Sequence, residues 1–448
     1  MSSESFNLII KKKISSFNKI IEIDSDKSIS IRSFLIGAIC QNISNVKNVL
    51  ESEDIFSTID TLKKLNVKIK KKGPKNYKIF GKSLGSLYAK TNTKLNFGNS
   101  GTLARLVIGI LSTTPNINLL IGGDKSLNKR NMKKLILLMS EFGATFLPKN
   151  KFTFPLKIIS SNMPIGINYK SGVSAQLKSA VIFAGLNSYG NTEITEVERS
   201  RDHTEKMLIK NKHTIKIVDR KKRLIKVIGK NYLNPINVNV PGDPSSAAFF
   251  VALTLLNLNS YLKIRNVGLN STRTGFYHLL KKHGAKIKFE KIKKINSEPV
   301  GNIVVKSCKL KPIKASKNYY VNSTDEYPIL FVIAALTKGI SVFKGIKDLA
   351  NKESDRIKEM QNVIKQIGVK SVSSKNELKI FGRGMIDASN KRIIVKNLGD
   401  HRVCMSSFIL AILTGAKTKI NNFETVNTSS PSFLKIMKSL GVKFEKKD

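Results

Sequence analysis

One short pattern recurs six times along the chain and limits what it can fold into: an amphipathic helix ends, a turn residue follows, and a strand begins, with lysine at or near its start in five of the six. The six instances are LKKLNVKI at Asn66, MSEFGATF at Gly143, LIKNKHTI at Lys212, LLKKHGAKI at Gly284, VIKQIGVKS at Gly368 and IMKSLGVKF at Gly441, at intervals of 77, 69, 72, 84 and 73 residues. Glycine suits the left-handed residue just past a helix carboxy-terminus. A second series keeps step with the first, about forty residues upstream of it: a polar, small-residue cluster followed at once by an apolar helix. Its members are DKSISIR at Lys27, GNSGTLAR at Asn99, SGVSAQLKSA at Ser174, PGDPSSAAFF at Asp243, STDEYPIL at Asp325 and GDHRVCMSSF at Asp400.

Six units of roughly 75 residues follow, each with a polar-headed apolar helix, strands and an amphipathic helix. A single cluster of this kind is an ordinary helix cap, but six in phase are an architecture. An apolar helix has to be buried, whereas its polar head belongs where the free N–H groups meet partners or ligands. With three such helices in the middle of each of two domains and their amino-termini facing a common cleft, the dipoles favour anions there. The 448 residues allow two or three domains with real cores.

The formal charge of +47 suggests nucleic acid, but the lysines are scattered along the whole chain with no aromatic-interleaved block or basic tail. Asn and Ile are abundant, Trp is absent, and only 13 of the 78 basic residues are Arg, a pattern of coding bias. Arginine is therefore the sharper clue, because its planar fork matches carboxylate and phosphate. Six of the thirteen, Arg32, Arg105, Arg130, Arg201, Arg356 and Arg402, lie in or beside clusters of the polar-head type. Ser28 and Arg32 are spaced to share a helix face, as are Lys352 and Arg356. The three cysteines have no metal-ligand spacing and fit buried thiols, the five histidines are dispersed, and runs such as FFVALTLL and YPILFVIAAL are too short to span a bilayer. The amino-terminus has no signal-peptide core, so the expectation is a soluble, cytoplasmic, metal-free protein.

DKSISIR, FGNSGTLAR, GGDKSLNKR, SGVSAQLKSA, SRDHTEKML, PGDPSSAAFF, DEYP, KESDRI and GDHR, in this order and spacing, resemble the 5-enolpyruvylshikimate-3-phosphate synthase (3-phosphoshikimate 1-carboxyvinyltransferase) family, in its class II form. The resemblance implies an α/β fold, the two-domain inverse α/β barrel-like enolpyruvyl transferase fold, with six βαβαββ-type repeat units, three per domain. It implies one lobe at 25–240, a discontinuous lobe of 1–24 plus 241–448, and an active site in the interdomain cleft. The implied reaction moves the enolpyruvyl group of phosphoenolpyruvate to the 5-hydroxyl of shikimate 3-phosphate and releases phosphate. It needs no cofactor, and the family is usually monomeric. No nucleic-acid or membrane partner is expected.

Residue roles carry over motif by motif. The resemblance implies that Lys27 touches both substrates and that Ser28 and Arg32 hold shikimate 3-phosphate, joined by Ser174, Ala175, Gln176, Arg201, Asp325 and Lys352. Ala175 stands where many relatives have serine, leaving a phosphate contact for Arg201 to supply. Asn99, Gly101, Thr102, Arg130, Gln176, Arg356 and Arg402 fall to phosphoenolpyruvate, and Gly101 implies sensitivity to the inhibitor glyphosate. Asp325 is the implied base at the 5-hydroxyl, in a position that also suits capping of a helix over 327–336, with Glu353 and Lys27 as candidates for proton traffic at the methylene. Asp243 is expected to be a cap at the hinge. Ile31, Asn131 and Ser430 depart from common family residues, and a carboxy-terminal lysine that some relatives place near phosphoenolpyruvate has no clear match.

Two other readings remain open at this stage. UDP-N-acetylglucosamine enolpyruvyl transferase shares the repeat but typically uses a reactive cysteine on a mobile loop, whereas Cys40 and Cys404 lie inside apolar helices. A charge-driven nucleic-acid-binding protein would depend on a basic stripe that the chain lacks.

Overall fold

The computed structural model describes residues 5–219, 223–396 and 399–447. They divide into two compact units. One runs from Ser25 to Val240 and includes Ile295–Glu298; the other combines the segment ending at Asp24 with Pro241–Lys294 and the chain from Pro299 onward.

The sequence repeat is a structural repeat. There are six four-stranded sheets among the described residues, and each has the same order. In the first, Asn237–Asn239 runs parallel to Ile43–Lys47, which pairs antiparallel with Asn76–Phe80, itself antiparallel to Lys68–Gly73. The second repeats this with Lys94–Asn96, Asn118–Gly122, Leu156–Ile159 and Thr145–Leu147. Sequence-distant strands complete several sheets. Asn7–Ile10 lies between Lys417–Ile420 and Glu445–Lys447, and Asn18–Ile21 pairs with Tyr261–Gly268.

Each unit is built around three apolar helices: Lys27–Ile39, Gly101–Thr113 and Ala175–Leu186 in the continuous unit, and Pro244–Leu256, Tyr327–Ala335 and His401–Thr414 in the other. Every residue of Pro244–Leu256 and of His401–Thr414 is buried, as an all-round apolar sequence demands. Small residues let these helices approach: a side-chain carbon on Gly109 would lie 2.5 Å from the Ala180 carbonyl oxygen. Five of the six heads carry a side-chain cap, from Asp26, Ser100, Ser174, Asp243 and Asp400. Asp243 also pairs with Arg273 at 2.9 Å.

The amphipathic helices end as their glycines predict, with φ of +92°, +94°, +82° and +93° at Gly143, Gly284, Gly368 and Gly441, and +65° at Asn66. Lys212 departs from the series. Its helix, His203–Leu208, is only six residues long and passes into turns at Asn211 and Thr214, so no left-handed residue is needed there. No helix among the described residues is long and apolar enough to cross a membrane.

Candidate active site

In the continuous unit the predicted residues converge on the amino-terminal turns of the three core helices. Lys27 opens the first helix and its Nζ pairs with Asp54 at 3.0 Å. One turn on, the buried Arg32 donates from Nε to Thr204 Oγ1 (2.9 Å), from Nη2 to Ser179 Oγ (3.1 Å) and from Nη1 to the Ser28 carbonyl (3.1 Å). The guanidinium is therefore held in one plane by hydroxyls from two other helices. Gln176 bridges the second and third helices: its amide donates to Thr102 Oγ1 at 2.9 Å, and its Oε1 accepts from Arg105 Nη1 at 2.9 Å. Arg130 hydrogen-bonds Asn99, and Gly101 lies under both arginines. A side-chain carbon at Gly101 would stand 2.7 Å from Arg105 Nη1 and 2.9 Å from Arg130 Nη1. Ser174 caps the third helix and Ala175 is its first residue; Arg201 is half-buried on the loop before His203–Leu208.

In the discontinuous unit the centre is Arg356, whose side chain is 1% exposed. Its Nε lies 2.9 Å from Asp400 Oδ2, its Nη2 2.5 Å from Glu353 Oε2, and its Nη1 3.7 Å from Asp325 Oδ1. Burial works against its charge, but Asp400, Glu353 and Asp325 outweigh this and hold its pKa above the ordinary arginine value. Ser354 Oγ donates to the same Asp400 oxygen at 3.0 Å. Arg402 is buried in the first turn of the last core helix, its guanidinium 5.8 Å from the Phe249 ring centroid. The Nε and Nη1 of Arg402 and the Nε of Arg130 are buried without a hydrogen-bond partner.

Two local expectations are corrected. Asp325 does not cap the fifth core helix: a 3-10 turn, Thr324–Glu326, precedes Tyr327–Ala335, and Glu326 occupies the boundary. Lys352 and Arg356 do not share a helix face either, because the helix starts at Arg356 behind the Asp355 cap. Lys352 instead pairs with Asp348 at 2.7 Å. The departures from common family residues each have a local structural setting: Ile31 is core, Asn131 accepts from the Lys133 N–H at 2.8 Å, and Ser430 donates to Asp24 at 3.3 Å.

The family model for EPSP synthase (3-phosphoshikimate 1-carboxyvinyltransferase) matches residues 11–437. The chain belongs to the EPSP synthase family. Curated relatives named 3-phosphoshikimate 1-carboxyvinyltransferase include that of Paramagnetospirillum magneticum, 35% identical over 94% of both chains, and that of Petrotoga mobilis, 36% identical over 94% of this chain and 97% of the relative. The solved EPSP synthase of Acinetobacter baumannii superposes with a TM-score of 0.84 at 32% identity, covering 99% of this chain and all of the other. The enolpyruvyl transferase NikO of Streptomyces tendae, 12% identical with a TM-score of 0.76 over 99% of each chain, shares the fold. The family's transferase fold thus carries the two clusters described above.

Sequence reasoning gave no role to Asp400 as the buried partner of Arg356, or to Asp54, Ser179 and Thr204. Asp400 was visible as a helix head, but its pairing with Arg356 spans 44 residues and leaves no local signal.

Proposed function

We propose that the chain transfers the enolpyruvyl group of phosphoenolpyruvate to the 5-hydroxyl of shikimate 3-phosphate, with residues of both clusters as its substrate ligands. Family membership supports this transferase reaction. The observation that carries the assignment of the site is the set of buried guanidinium N–H groups on Arg130 and Arg402 with no protein acceptor. Such donors are costly to leave unsatisfied, and a phosphate or carboxylate oxygen satisfies them with charge-assisted bonds.

On this reading Arg130, Arg356 and Arg402 hold phosphoenolpyruvate, with Asn99, Gly101, Thr102 and Gln176 shaping its place. Lys27, Ser28, Arg32, Ser174, Ala175, Gln176, Arg201 and Lys352 bind shikimate 3-phosphate. Asp325 takes the 5-hydroxyl proton while the oxygen bonds to C2 of phosphoenolpyruvate, and Glu353 or Lys27 protonates the methylene carbon. The tetrahedral adduct then loses a methyl proton and phosphate, regenerating the double bond. Fixed cations meeting charge on the transferring group supply much of the stabilisation. A cysteine-dependent transfer to a UDP-sugar finds no support: Cys40 is buried with its thiol pushed up to about 12 by burial, and Cys404 is also buried and shifted upward.

The test is phosphate release from phosphoenolpyruvate, with and without shikimate 3-phosphate, for the native chain and Asp325→Ala. Release that requires shikimate 3-phosphate and falls ~100-fold or more in the variant is expected. Release only with UDP-N-acetylglucosamine, or an unaffected Asp325→Ala, would overturn the reading.

A further inference from the structure

Next along the helix from Ser179, which accepts from Arg32, stands a charged group that the proposed chemistry does not use. Lys178, on the core helix Ala175–Leu186, has a side chain with no exposure, and its Nζ sits 2.5 Å from Glu205 Oε1 and 2.7 Å from Glu196 Oε1. Glu196 also accepts from the Ser200 N–H at 3.2 Å and the Ser200 hydroxyl at 3.3 Å. The neighbouring residues on the same two helices form a second link: Ser179 Oγ and Thr204 Oγ1 are 2.8 Å apart. These are the two oxygens to which Arg32 donates from Nη2 and Nε. Residues 178 and 179 of the core helix thus grip residues 204 and 205 of the short helix, and Arg32 is keyed to the second of those grips.

A six-residue helix has too few internal bonds to set its own position, so tertiary contacts must do so. An ammonium with no exposure is a costly way to gain stability, since a packed apolar pair of the same volume does as well or better. What the ion pair supplies is a fixed distance and direction. Two carboxylates share one ammonium here; burial disfavours the Lys178 charge, but the carboxylates outweigh it, and burial raises Glu205 despite Lys178.

We propose that Lys178 and Glu205 are positioning residues for shikimate 3-phosphate: their buried pair sets the height of the His203–Leu208 helix and so aims the Arg32 guanidinium at the substrate carboxylate. This rests on the reading of Arg32 as a shikimate 3-phosphate ligand. The effect is expected to fall on that substrate, because the grip of Ser179 and Thr204 on which Arg32 rests is the one next to the ion pair.

The experiment measures the shikimate 3-phosphate Kd by calorimetry, and the KM for phosphoenolpyruvate and kcat at saturating shikimate 3-phosphate. The chains compared are the native protein, Lys178→Met, Lys178→Met/Glu205→Gln, Arg32→Lys, and Arg32→Lys combined with the double change. The double variant removes the carboxylate that Lys178→Met strands, and so carries the test if the single variant does not fold. A roughly tenfold weaker Kd in the folded double variant is expected, with KM for phosphoenolpyruvate and kcat within about twofold. The loss should be much smaller when Arg32 is already Lys, because interactions that act through one group are not additive. A folded double variant with native Kd overturns the inference, as does one in which both substrates and kcat suffer alike. If Arg32→Lys weakens binding and the double variant does not, the inference fails while the reading of Arg32 stands; if Arg32→Lys binds normally, both fail.

Discussion

Replacing Gly101 by Ala tests the phosphoenolpyruvate half of the site. The backbone at Gly101 is that of an ordinary first helical residue behind the Ser100 cap, so alanine fits the chain conformation, and Gly→Ala at such a position stabilises by ~0.4–1 kcal/mol. The new methyl meets the arginines instead. Its carbon would stand 2.7 Å from Arg105 Nη1 and 2.9 Å from Arg130 Nη1, about 0.8 and 0.6 Å inside the ~3.5 Å of normal contact. Both guanidinium ends are flexible and retreat, so the fold is spared, but a donor that moves this far from an acceptor at ~2.9 Å ceases to bond it. Losing one charged hydrogen bond costs about 1.5–3 kcal/mol, or roughly 10- to 150-fold. The expectation is a KM for phosphoenolpyruvate raised by roughly that factor in a phosphate-release assay. The shikimate 3-phosphate Kd should be unchanged and the melting temperature equal or higher. Glyphosate inhibition of the native chain, relieved in the variant, belongs to the same expectation. A folded Gly101→Ala chain whose KM for phosphoenolpyruvate moves less than twofold would refute the placement of this ligand beside Arg105 and Arg130.

Further outcomes follow from buried charge and burial. Asp400→Asn keeps the cap on the Arg402 N–H but removes the charge opposing Arg356 Nε, so urea unfolding should show a loss of about 1.5–3 kcal/mol at unchanged m value. Alkaline stability should fall from about pH 9–10 upward. Tyr77, Tyr277, Tyr320, Tyr327, Cys40 and Cys404 all have acid pKa values raised above 10.0 or 9.0, first by burial, so the folded chain keeps protons that the unfolded chain has released. Their contribution is complete below the unfolded pKa and disappears as pH climbs through the folded one, at up to ~1.4 kcal/mol per group per pH unit; a melting temperature that stays flat to pH 11 would contradict this. Thiol labelling of the native chain should modify Cys308, which is only partly buried, well before Cys40 and Cys404.

The repeat was legible because its signals are local. A glycine after an amphipathic helix, as at Gly143 or Gly441, and a polar head before an apolar run, as at Ser174 or Asp400, require only neighbouring residues to be read. Family motifs pointed to the side chains now grouped around Arg32, Gln176 and Arg356. The errors were also local in origin. Spacing put Lys352 and Arg356 on one helix face, but Asp355 caps the helix and excludes Lys352; a capping role for Asp325 was reasonable until the intervening 3-10 turn moved the boundary to Glu326.

By itself, then, the sequence determined that six apolar helices must be buried, which residues cap five of them, and which cations stand at their heads, since periodicity and capping are properties of short segments. Only the tertiary structure decided which acidic and hydroxyl groups meet those cations. Asp400 reaches Arg356 across 44 residues and Thr204 reaches Arg32 across 172, and pairing over such distances depends on how repeats pack, which no local pattern encodes.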